Sequence, residues 1–357
     1  MAMASPVKAM ASDADILPAA TMPAGWMAGP DMPHGGMLEA AARRFPAAPR
    51  PFLDLSTGIN PVPYPMPALP PETFTRLPDA GDLARLTAAA AQAYGADPAT
   101  LVAAPGTQVL IGVIPYLRPR GAVAVLSPTY GEHAACWAAA GHRVAEVATL
   151  AGCEAADVAV LCNPNNPDGR RTDPAAILAL AARLGARGGL VVVDEAFADF
   201  EPGLSVAPVL PQAGLVVLRS FGKSYGLAGV RLGFALAPRP LAAALAGARG
   251  PWAVGGAALA VGCAALRDAG WRASSIERLD RDGARLDGAL EAAGMALLGG
   301  TRLFRLYRGT DARALHARLG RAGILVRAFA AEPAWLRFGL PGDAAAWTRL
   351  DAALFDA

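Results

Sequence analysis

One lysine stands out in this chain because lysine is otherwise almost absent from it. Lys and Arg together number 32 among the 357 residues, and the lysines are Lys8 and Lys223 alone. Lys223 lies in the segment Ser220–Gly226, directly after the apolar run 215–218. Arginine cannot replace lysine where the chemistry requires a neutral amine, because the guanidinium does not deprotonate in proteins. We therefore predict that Lys223 is a nucleophilic amine that attacks an aldehyde carbon.

The residues that surround such an amine must come from elements that the sequence pattern predicts. Short apolar runs alternate with helical patterns such as 82–94, 108–117 and 174–186; the runs are 122–126, 158–161, 190–193, 215–218 and 232–236. Apolar runs of this length indicate strands buried on both faces, which is typical of a mostly parallel sheet in an α/β protein. Ligand chemistry in such a sheet lies at the carboxyl ends of the strands. Polar motifs follow the runs there: Ser127–Tyr130, Asn163–Pro167, Asp194–Glu195 and Ser220.

Composition and hydrophobic pattern divide the chain into four predicted parts. Residues 1–30 are rich in Met, Ala and Pro without a period, and we predict a flexible tail. Residues 31–75 are predicted to form an arm that packs with the small domain. Residues 76–240 form the predicted large domain. Residues 241–357 form a predicted smaller α+β domain, with strand candidates at 302–307, 324–327 and 335–340.

The ordered set of motifs is more specific than any one of them. By itself, Asn163–Pro167 could be a structural turn, and Asp194–Glu195 could cap a helix. Together with Pro105–Gln108, Ser220–Lys223, Arg231 and Arg337–Gly339, they resemble the class I and II aminotransferase-like enzymes that use pyridoxal 5′-phosphate. The resemblance extends over nearly the whole chain from about residue 34. It implies the type I fold of pyridoxal-phosphate-dependent transferases.

The resemblance also implies a role for each residue of the site. Lys223 would hold the cofactor as a Schiff base and move a proton at the substrate Cα. Asp194 would keep the ring nitrogen protonated, Tyr130 would stack on the ring, and Asn166 would donate to the phenolic oxygen. The cofactor phosphate would be bound by backbone N–H groups and side chains of Gly106, Thr107, Gln108, Ser220 and Arg231. Arg337 would hold the substrate carboxylate in a bidentate fork.

Two positions depart from the pattern of the family. Phe197 stands where many relatives have a tyrosine that donates to the phenolic oxygen of the cofactor, and a phenyl ring cannot donate. Leu77 stands where many relatives have a tyrosine that reaches the cofactor phosphate of a partner subunit. Leu77 cannot make that contact, so we assign it no role.

The segment at the start of the predicted arm indicates which reaction to expect. His34-Gly35-Gly36 followed by Ser56-x-x-Ile-Asn-Pro resembles the threonine-phosphate decarboxylases of cobalamin synthesis, which are related to histidinol-phosphate aminotransferases. This resemblance implies decarboxylation of L-threonine O-3-phosphate to (R)-1-amino-2-propanol O-2-phosphate. His34 would contact the substrate phosphate, with Arg327 as a second candidate, and Asn166 and Arg337 would also bind substrate. His34 could instead be a turn residue, and Arg327 a surface arginine.

Alternative functions remain open at the level of sequence. An aminotransferase acting on histidinol phosphate or a related amino acid would use the same residues, because the two reactions differ by a rotation about one substrate bond. A non-catalytic protein that binds pyridoxal phosphate is a further alternative, but Lys223, Asp194 and Arg231 argue against a decayed site. The resemblance also implies a homodimer.

Composition excludes several other classes of protein. The net charge is +2 and the basic residues are scattered, so we predict no nucleic-acid partner. We predict no membrane span, since Gly, Pro, Arg or Asp interrupts every apolar stretch. Four cysteines without CxxC spacing, Cys136, Cys153, Cys162 and Cys263, indicate free thiols in a cytoplasmic protein, so we predict no metal site.

Overall fold

A seven-stranded sheet and a four-stranded sheet organise residues 34–355, the part of the chain that the computed structural model describes. The tail predicted for residues 1–30 lies outside the described residues. The strands are β1 (Leu53–Asp54), β2 (Leu101–Ala104), β3 (Ala122–Leu126), β4 (Arg143–Val147), β5 (Val158–Cys162), β6 (Leu190–Asp194), β7 (Leu215–Ser220), β8 (Gly233–Leu236), β9 (Ala296–Thr301), β10 (Phe304–Arg308), β11 (Ile324–Leu325), β12 (Arg327–Ala328) and β13 (Trp335–Phe338).

The α-helices lie between these strands and at both ends of the described chain. They are α1 (Leu38–Arg44), α2 (Glu72–Thr75), α3 (Ala80–Tyr94), α4 (Thr107–Val113), α5 (Glu132–Ala139), α6 (Pro174–Gly185), α7 (Phe221–Ser224), α8 (Arg239–Arg249), α9 (Gly256–Arg267), α10 (Ala269–Ala292), α11 (Ala312–Arg321) and α12 (Ala344–Phe355). The helix predicted at 108–117 ends earlier, because a 3₁₀ turn that contains Pro115 replaces its last residues.

The large sheet is mostly parallel, as the apolar runs predict. Its strand order is β2-β8-β7-β6-β5-β3-β4. Strands β3 to β7 pair in parallel, whereas β8 runs antiparallel to both of its neighbours. All five predicted runs form strands, so the predicted α/β fold is confirmed. The sequence analysis does not predict β2 or the edge strand β4, and the residues of β4 are partly buried or exposed and do not form an apolar run.

Each central strand buries both of its faces. Alternate residues of β5, β6 and β7 contact two different groups of helices because successive side chains of a strand point to opposite faces. Val191, Val193 and Val217 pack with α3, α6 and α9. Val192, Val216 and Leu218 pack with α4, α5 and α8. Asp194 and Ser220 therefore emerge on the second side, where α4 and α5 begin.

The small domain is built on the antiparallel sheet β12-β13-β10-β9. Helices α10, α11 and α12 cover it through an apolar cluster that includes Leu286, Leu319 and Leu350. The strand predicted at 324–327 is two short strands, β11 and β12, and β9 is not predicted. Strand β1 of the N-terminal arm pairs in parallel with β11, which ties the arm to this domain.

The boundary predicted between residues 240 and 241 requires a correction. Helix α9 packs along α3, and its residues Ala258, Val261 and Leu266 belong to the apolar core of the large domain. Helices α8 and α9 thus cover opposite faces of the large sheet, although both follow residue 238. The sequence pattern changes after residue 238 because strands are followed by helices. These helices, α8 and α9, still pack on the large sheet.

Arg219 forms a buried ion cluster on the α3 side of the large sheet. Its Nη1 lies 2.7 Å from Oε2 of Glu195, and its Nη2 donates to Asp199. The guanidinium carbon lies 4.5 Å from the ring centroid of Tyr94. Burial raises the pKa of Glu195, although the charge of Arg219 acts in the opposite direction. One buried cation on β7 thus faces two buried carboxyl groups that follow β6.

We expect Arg219→Met to lower the free energy of unfolding by about 3–5 kcal/mol, because removal of one partner leaves uncompensated charges in the interior. Urea denaturation measures this difference. Arg183→Met is the matched control, since its ion pair with Glu154 leaves 53% and 51% of the side chains exposed. The control is expected to lose less than about 1 kcal/mol. Equal losses for the two variants would contradict a structural role for the cluster.

Candidate active site

A cleft opens at the carboxyl ends of β5, β6 and β7, between the large sheet, the N-terminal arm and the small domain. Its volume is about 360 Å³, which is sufficient for a small-molecule ligand. It brings together the predicted site residues with one exception: His34, Gly106, Thr107, Gln108, Tyr130, Asn166, Asp194, Ser220, Lys223, Arg231 and Arg337. Arg327 is the exception, and it does not line the cleft.

Lys223 reaches the floor of the cleft from α7, the single turn that follows β7. Gly222 permits this turn, since a Cβ there would lie 2.8 Å from Cα of Ala228. The Lys223 amine lies 4.2 Å from the ring centroid of Phe197, and this partly buried residue shares the cleft with the buried Phe197 and Asp194. Burial lowers the pKa of this amine, although the charge of Asp194 acts in the opposite direction. The environment therefore favours the neutral amine that a nucleophile requires.

Asp194 at the end of β6 is held by a histidine that the sequence analysis did not identify. Nε2 of His133, in the first turn of α5, lies 2.9 Å from Oδ2 of Asp194, and both side chains are buried. The N–H of Ala196 donates to Oδ1 at 3.0 Å. Burial alone would raise the pKa of Asp194, but its bond to His133 and the charges of His133 and Lys223 hold the pKa below its ordinary value. Asp194 is therefore a carboxylate.

Cys162 completes the surroundings of this pair. One ligand atom each of His133, Cys162 and Asp194 lies within 4.8 Å of the other two, a set that could ligate a metal ion. Burial alone would lower the pKa of His133, but Cys162 and Asp194 raise it to about 10. Because His133 and Asp194 already bond each other, we interpret the cluster as a support for the Asp194 carboxylate. The predicted absence of a metal stays a prediction.

A second chain of polar contacts crosses the opening of the cleft. The Tyr130 hydroxyl donates to Oε1 of Gln108 at 3.1 Å, and Nε2 of Gln108 donates to Oε2 of Glu132 at 3.3 Å. Oε1 of Glu132 lies 3.3 Å from Nε2 of His34. Glu132 is absent from the sequence analysis. A signal was available, because Glu132 and His133 are adjacent polar residues at the start of an otherwise apolar helix.

The loop between β2 and α4 leaves room for an anion beside Arg231. Gly106 has a φ of +88°, and a Cβ there would lie 2.8 Å from Nη2 of Arg231. Arg231 itself has a φ of 54° and turns back toward this loop. A Cβ on Gly233 would lie 2.5 Å from the backbone nitrogen of Thr107, so the strand and the loop meet without a side chain between them. The guanidinium of Arg231 thus lies beside Gly106 at the N-terminus of α4.

Arg337 enters the cleft from β13 of the small domain. Its Nη2 donates to the carbonyl oxygen of Ser56 at 2.8 Å, and its Nη1 donates to Oδ1 of Asn166. Its Nε is buried and has no hydrogen-bond partner among residues 34–355. Burial, followed by the charge of Arg327 opposite it in the β12–β13 pair, lowers the pKa of Arg337 to about 10. The guanidinium lies 5.0 Å from the Phe304 ring centroid.

The two departures from the family pattern occupy different places. Phe197 lies in the cleft between Lys223 and Phe304, and its ring meets that of Phe304 edge-on at 4.9 Å. Leu77 lies outside the cleft, and 70% of its surface is exposed.

No helix among the described residues is long and apolar enough to cross a membrane.

The fold and this site define a member of the aminotransferase class I and II family. The model of that family matches residues 53–353, so the chain belongs to it. The chain is 48% identical to a threonine-phosphate decarboxylase from Pseudomonas aeruginosa over 324 residues, which cover 90% of this chain and 96% of the relative. It is 46% identical to a threonine-phosphate decarboxylase from a Sinorhizobium species, over 90% of this chain and 97% of the relative.

Solved structures have the same architecture. A histidinol-phosphate aminotransferase from Sinorhizobium meliloti, solved in complex with pyridoxal 5′-phosphate, matches with a TM-score of 0.78 and 23% identity. The match covers 91% of this chain and 95% of that chain. The predicted family and the predicted fold are therefore confirmed, and the roles of individual site residues stay predictions.

We expect the pair of His133 and Asp194 to produce a measurable pH dependence. The pKa of His133 is raised from 6.5 to about 10. Its protonation therefore stabilises the fold fully below about pH 6.5, and this contribution is lost as the pH rises to about 10. Without added cofactor, the free energy of unfolding should fall more steeply in this window than in His133→Gln, by up to about 1.4 kcal/mol per pH unit. Parallel curves would contradict the charged pair.

Proposed function

We propose that this chain catalyses the decarboxylation of L-threonine O-3-phosphate to (R)-1-amino-2-propanol O-2-phosphate, a step of cobalamin biosynthesis. The observation that carries the proposal is the 48% identity to a threonine-phosphate decarboxylase over nearly the full length of both chains. The cleft supports it, because Arg337 and His34 offer cationic or hydrogen-bonding groups to a substrate with two anionic ends. The cofactor is pyridoxal 5′-phosphate.

The residues present in the cleft fit this cofactor. Asp194 is a buried carboxylate that a protonated ring nitrogen would neutralise, and Lys223 in the same cleft is an amine with a lowered pKa. The space beside Gly106 that a Cβ would fill faces Arg231, as a phosphate site requires. When bound, the cofactor supplies an electron-poor ring that accepts the electrons of a bond broken at the substrate Cα.

Each predicted residue would then bind one part of the cofactor. Lys223 would bind its carbonyl carbon, Asp194 its ring nitrogen and Tyr130 its ring face. Asn166 would donate to the phenolic oxygen from its Nδ2, since its Oδ1 already accepts from Arg337. The phosphate would be held by backbone N–H groups and side chains of Gly106, Thr107, Gln108, Ser220 and Arg231.

Arg337 is suited to hold the substrate carboxylate. Its guanidinium is buried, and its Nε lacks a partner among the described residues although burial of such a group is costly. A carboxylate that accepts from Nε and from a remaining N–H would satisfy it. The bonds to Ser56 and Asn166 fix the plane of the guanidinium before the substrate arrives. The substrate is thereby oriented at little further entropic cost.

The opposite end of the substrate decides the reaction. A phosphate bound by His34, with Arg327 as the second predicted ligand, would fix the rotation about the bond between the substrate nitrogen and Cα. With both ends held, the carboxylate would be the group in line to leave as CO₂, and Lys223 would deliver a proton to Cα in its place. Arg327 is the partner of Arg337 across the antiparallel β12–β13 ladder, so the two side chains lie on the same face of the small sheet.

We propose that two copies of the chain form a homodimer in the cytoplasm. Large apolar side chains lie exposed on the segment before α3 and on the loop after α8: Met66, Phe74, Leu77 and Trp252. Trp252 also lines a groove with Pro78, Leu83 and Leu259. Contiguous exposed apolar side chains mark association surfaces, and a second copy of this chain is the occupant we propose. The four cysteines are free thiols, as a reducing compartment requires.

The dimer can be tested by replacing exposed apolar side chains of this surface with charged ones. We expect Phe74→Arg together with Trp252→Arg to convert the protein from twice 36.4 kDa to 36.4 kDa in sedimentation equilibrium, because buried arginines without partners oppose association. Leu297→Arg is the control, since Leu297 is 49% exposed on the small domain away from this surface. A wild-type protein that sediments as a monomer would contradict the proposal.

The reaction can be tested without any oxo acid. We expect purified protein with pyridoxal 5′-phosphate to release CO₂ from L-threonine O-3-phosphate over many turnovers. The expected product is (R)-1-amino-2-propanol O-2-phosphate, detected by mass spectrometry and chiral separation. If instead no CO₂ appears and histidinol phosphate converts the cofactor to its amine form, the chain is an aminotransferase. No reaction with either substrate would favour a protein that binds the cofactor without catalysis.

Lys223→Ala is the control for this assay. It should abolish CO₂ release and remove the absorbance band at about 400 nm that the cofactor gives when joined to a lysine amine. A retained band would show that another amine binds the cofactor.

A further inference from the structure

Glu132 occupies a position that none of the proposed steps uses. Its carboxylate accepts a hydrogen bond from Gln108 at 3.3 Å and lies 3.3 Å from Nε2 of His34. Gln108 in turn accepts from the Tyr130 hydroxyl at 3.1 Å. These contacts connect α5 and α4 of the large domain to the first described residue of the N-terminal arm. They form a line along the edge of the cleft.

Chemistry determines the direction of the two hydrogen bonds that Gln108 makes in this line. A carboxylate only accepts, so the Gln108 amide must present its NH₂ group to Glu132 and its carbonyl oxygen to Tyr130. Nε2 of His34 lies within ion-pair distance of Glu132, at 3.3 Å, and a proton on Nε2 would let it donate to this carboxylate. The remaining ring nitrogen, Nδ1, is not engaged by Glu132 and can face a ligand. Glutamine at position 132 has one oxygen acceptor in place of two. Its NH₂ group would face either the Gln108 amide nitrogen or Nε2 of His34, and neither donor could bond to it.

We propose that Glu132 is a positioning residue for the phosphate group of the substrate and that it acts through His34. This inference rests on the proposed function, because it assumes that His34 binds the substrate phosphate. Glu132 accepts from Nε2 and thereby sets the orientation of the imidazole, as a carboxylate does for a ligating histidine. In the imidazolium form both ring nitrogens carry a proton, so Nδ1–H can then donate to a phosphate oxygen. Glu132 itself stays on the far side of the ring from the phosphate.

The position of the pair explains why such support is useful. His34 lies on the arm and 53% of its side chain is exposed, so its own packing does not fix the ring. Glu132 is 31% exposed and begins a helix whose next residue, His133, bonds the buried Asp194. An exposed side chain on the arm is therefore held by a residue at the start of α5 in the large domain. A phosphorylated amino acid would benefit from this orientation, and an amino acid without a phosphate would not.

The test compares Glu132→Gln with the wild-type holoenzyme. We expect the dissociation constant for L-threonine O-3-phosphate, measured by calorimetry, and the KM for its decarboxylation to rise about tenfold, as for the loss of one charge-assisted hydrogen bond. Affinity for L-threonine, which lacks the phosphate, should change less than about twofold. Glu39→Gln is the matched control, because Glu39 is an exposed glutamate on the arm that carries His34 and the substitution removes the same charge.

A double-mutant cycle separates the proposed role from a structural one. In the His34→Ala background, Glu132→Gln should have no further effect on phosphate-dependent affinity, because the residue through which it acts is absent. If Glu132→Gln lowers the affinity for L-threonine O-3-phosphate as much in the His34→Ala background as in the wild type, the positioning role is overturned. An equal loss of affinity for L-threonine would also overturn it. If Glu132→Gln and the wild type bind the phosphorylated substrate with equal affinity, the positioning role is overturned and the proposed function is not. A wild-type holoenzyme that binds no L-threonine O-3-phosphate overturns the proposed function, and the positioning role with it.

Discussion

The alternation of side chains at the ends of β6 and β7 is the constraint on which the site depends. Asp194 and Ser220 point toward α4 and α5, whereas their neighbours Glu195 and Arg219 point toward α3. The same two strands therefore supply the cleft on one face and a buried ion cluster on the other. A shift by one residue would exchange the two sets. Both sets bear buried charge, so the register of these strands is strongly specified.

Charges removed from water dominate the cleft. Lys223 and Arg337 have lowered pKa values because they are buried, and Asp194 keeps its charge because His133 lies against it. Each of these groups is costly to bury without a partner, and a cofactor and a substrate with complementary charges would supply the partners. The arrangement thus favours anions at two ends and a cationic ring between them, as the proposed reaction requires.

The site is assembled from three parts of the chain that lie far apart in sequence. Arg337 of the small domain contacts Asn166 of the large domain and the Ser56 carbonyl of the arm. Strand β1 of the arm pairs with β11 of the small domain, so the arm and this domain form a unit against the large sheet. Glu132 of the large domain makes a further contact of this kind, because it lies against His34 of the arm at the edge of the cleft. Substrate geometry is therefore set by contacts between parts.

The sequence by itself determined the central strands, the family and most residues of the cleft, because apolar runs and motifs with fixed chemistry are local signals. It did not determine that α9 packs on the large sheet, because an amphipathic helix does not encode its partner. It also missed His133 and Glu132, whose significance comes from contacts with Asp194 and His34 across 61 and 98 positions of the chain. Only the tertiary structure decided these contacts, because hydrogen bonds between distant side chains depend on how the elements pack.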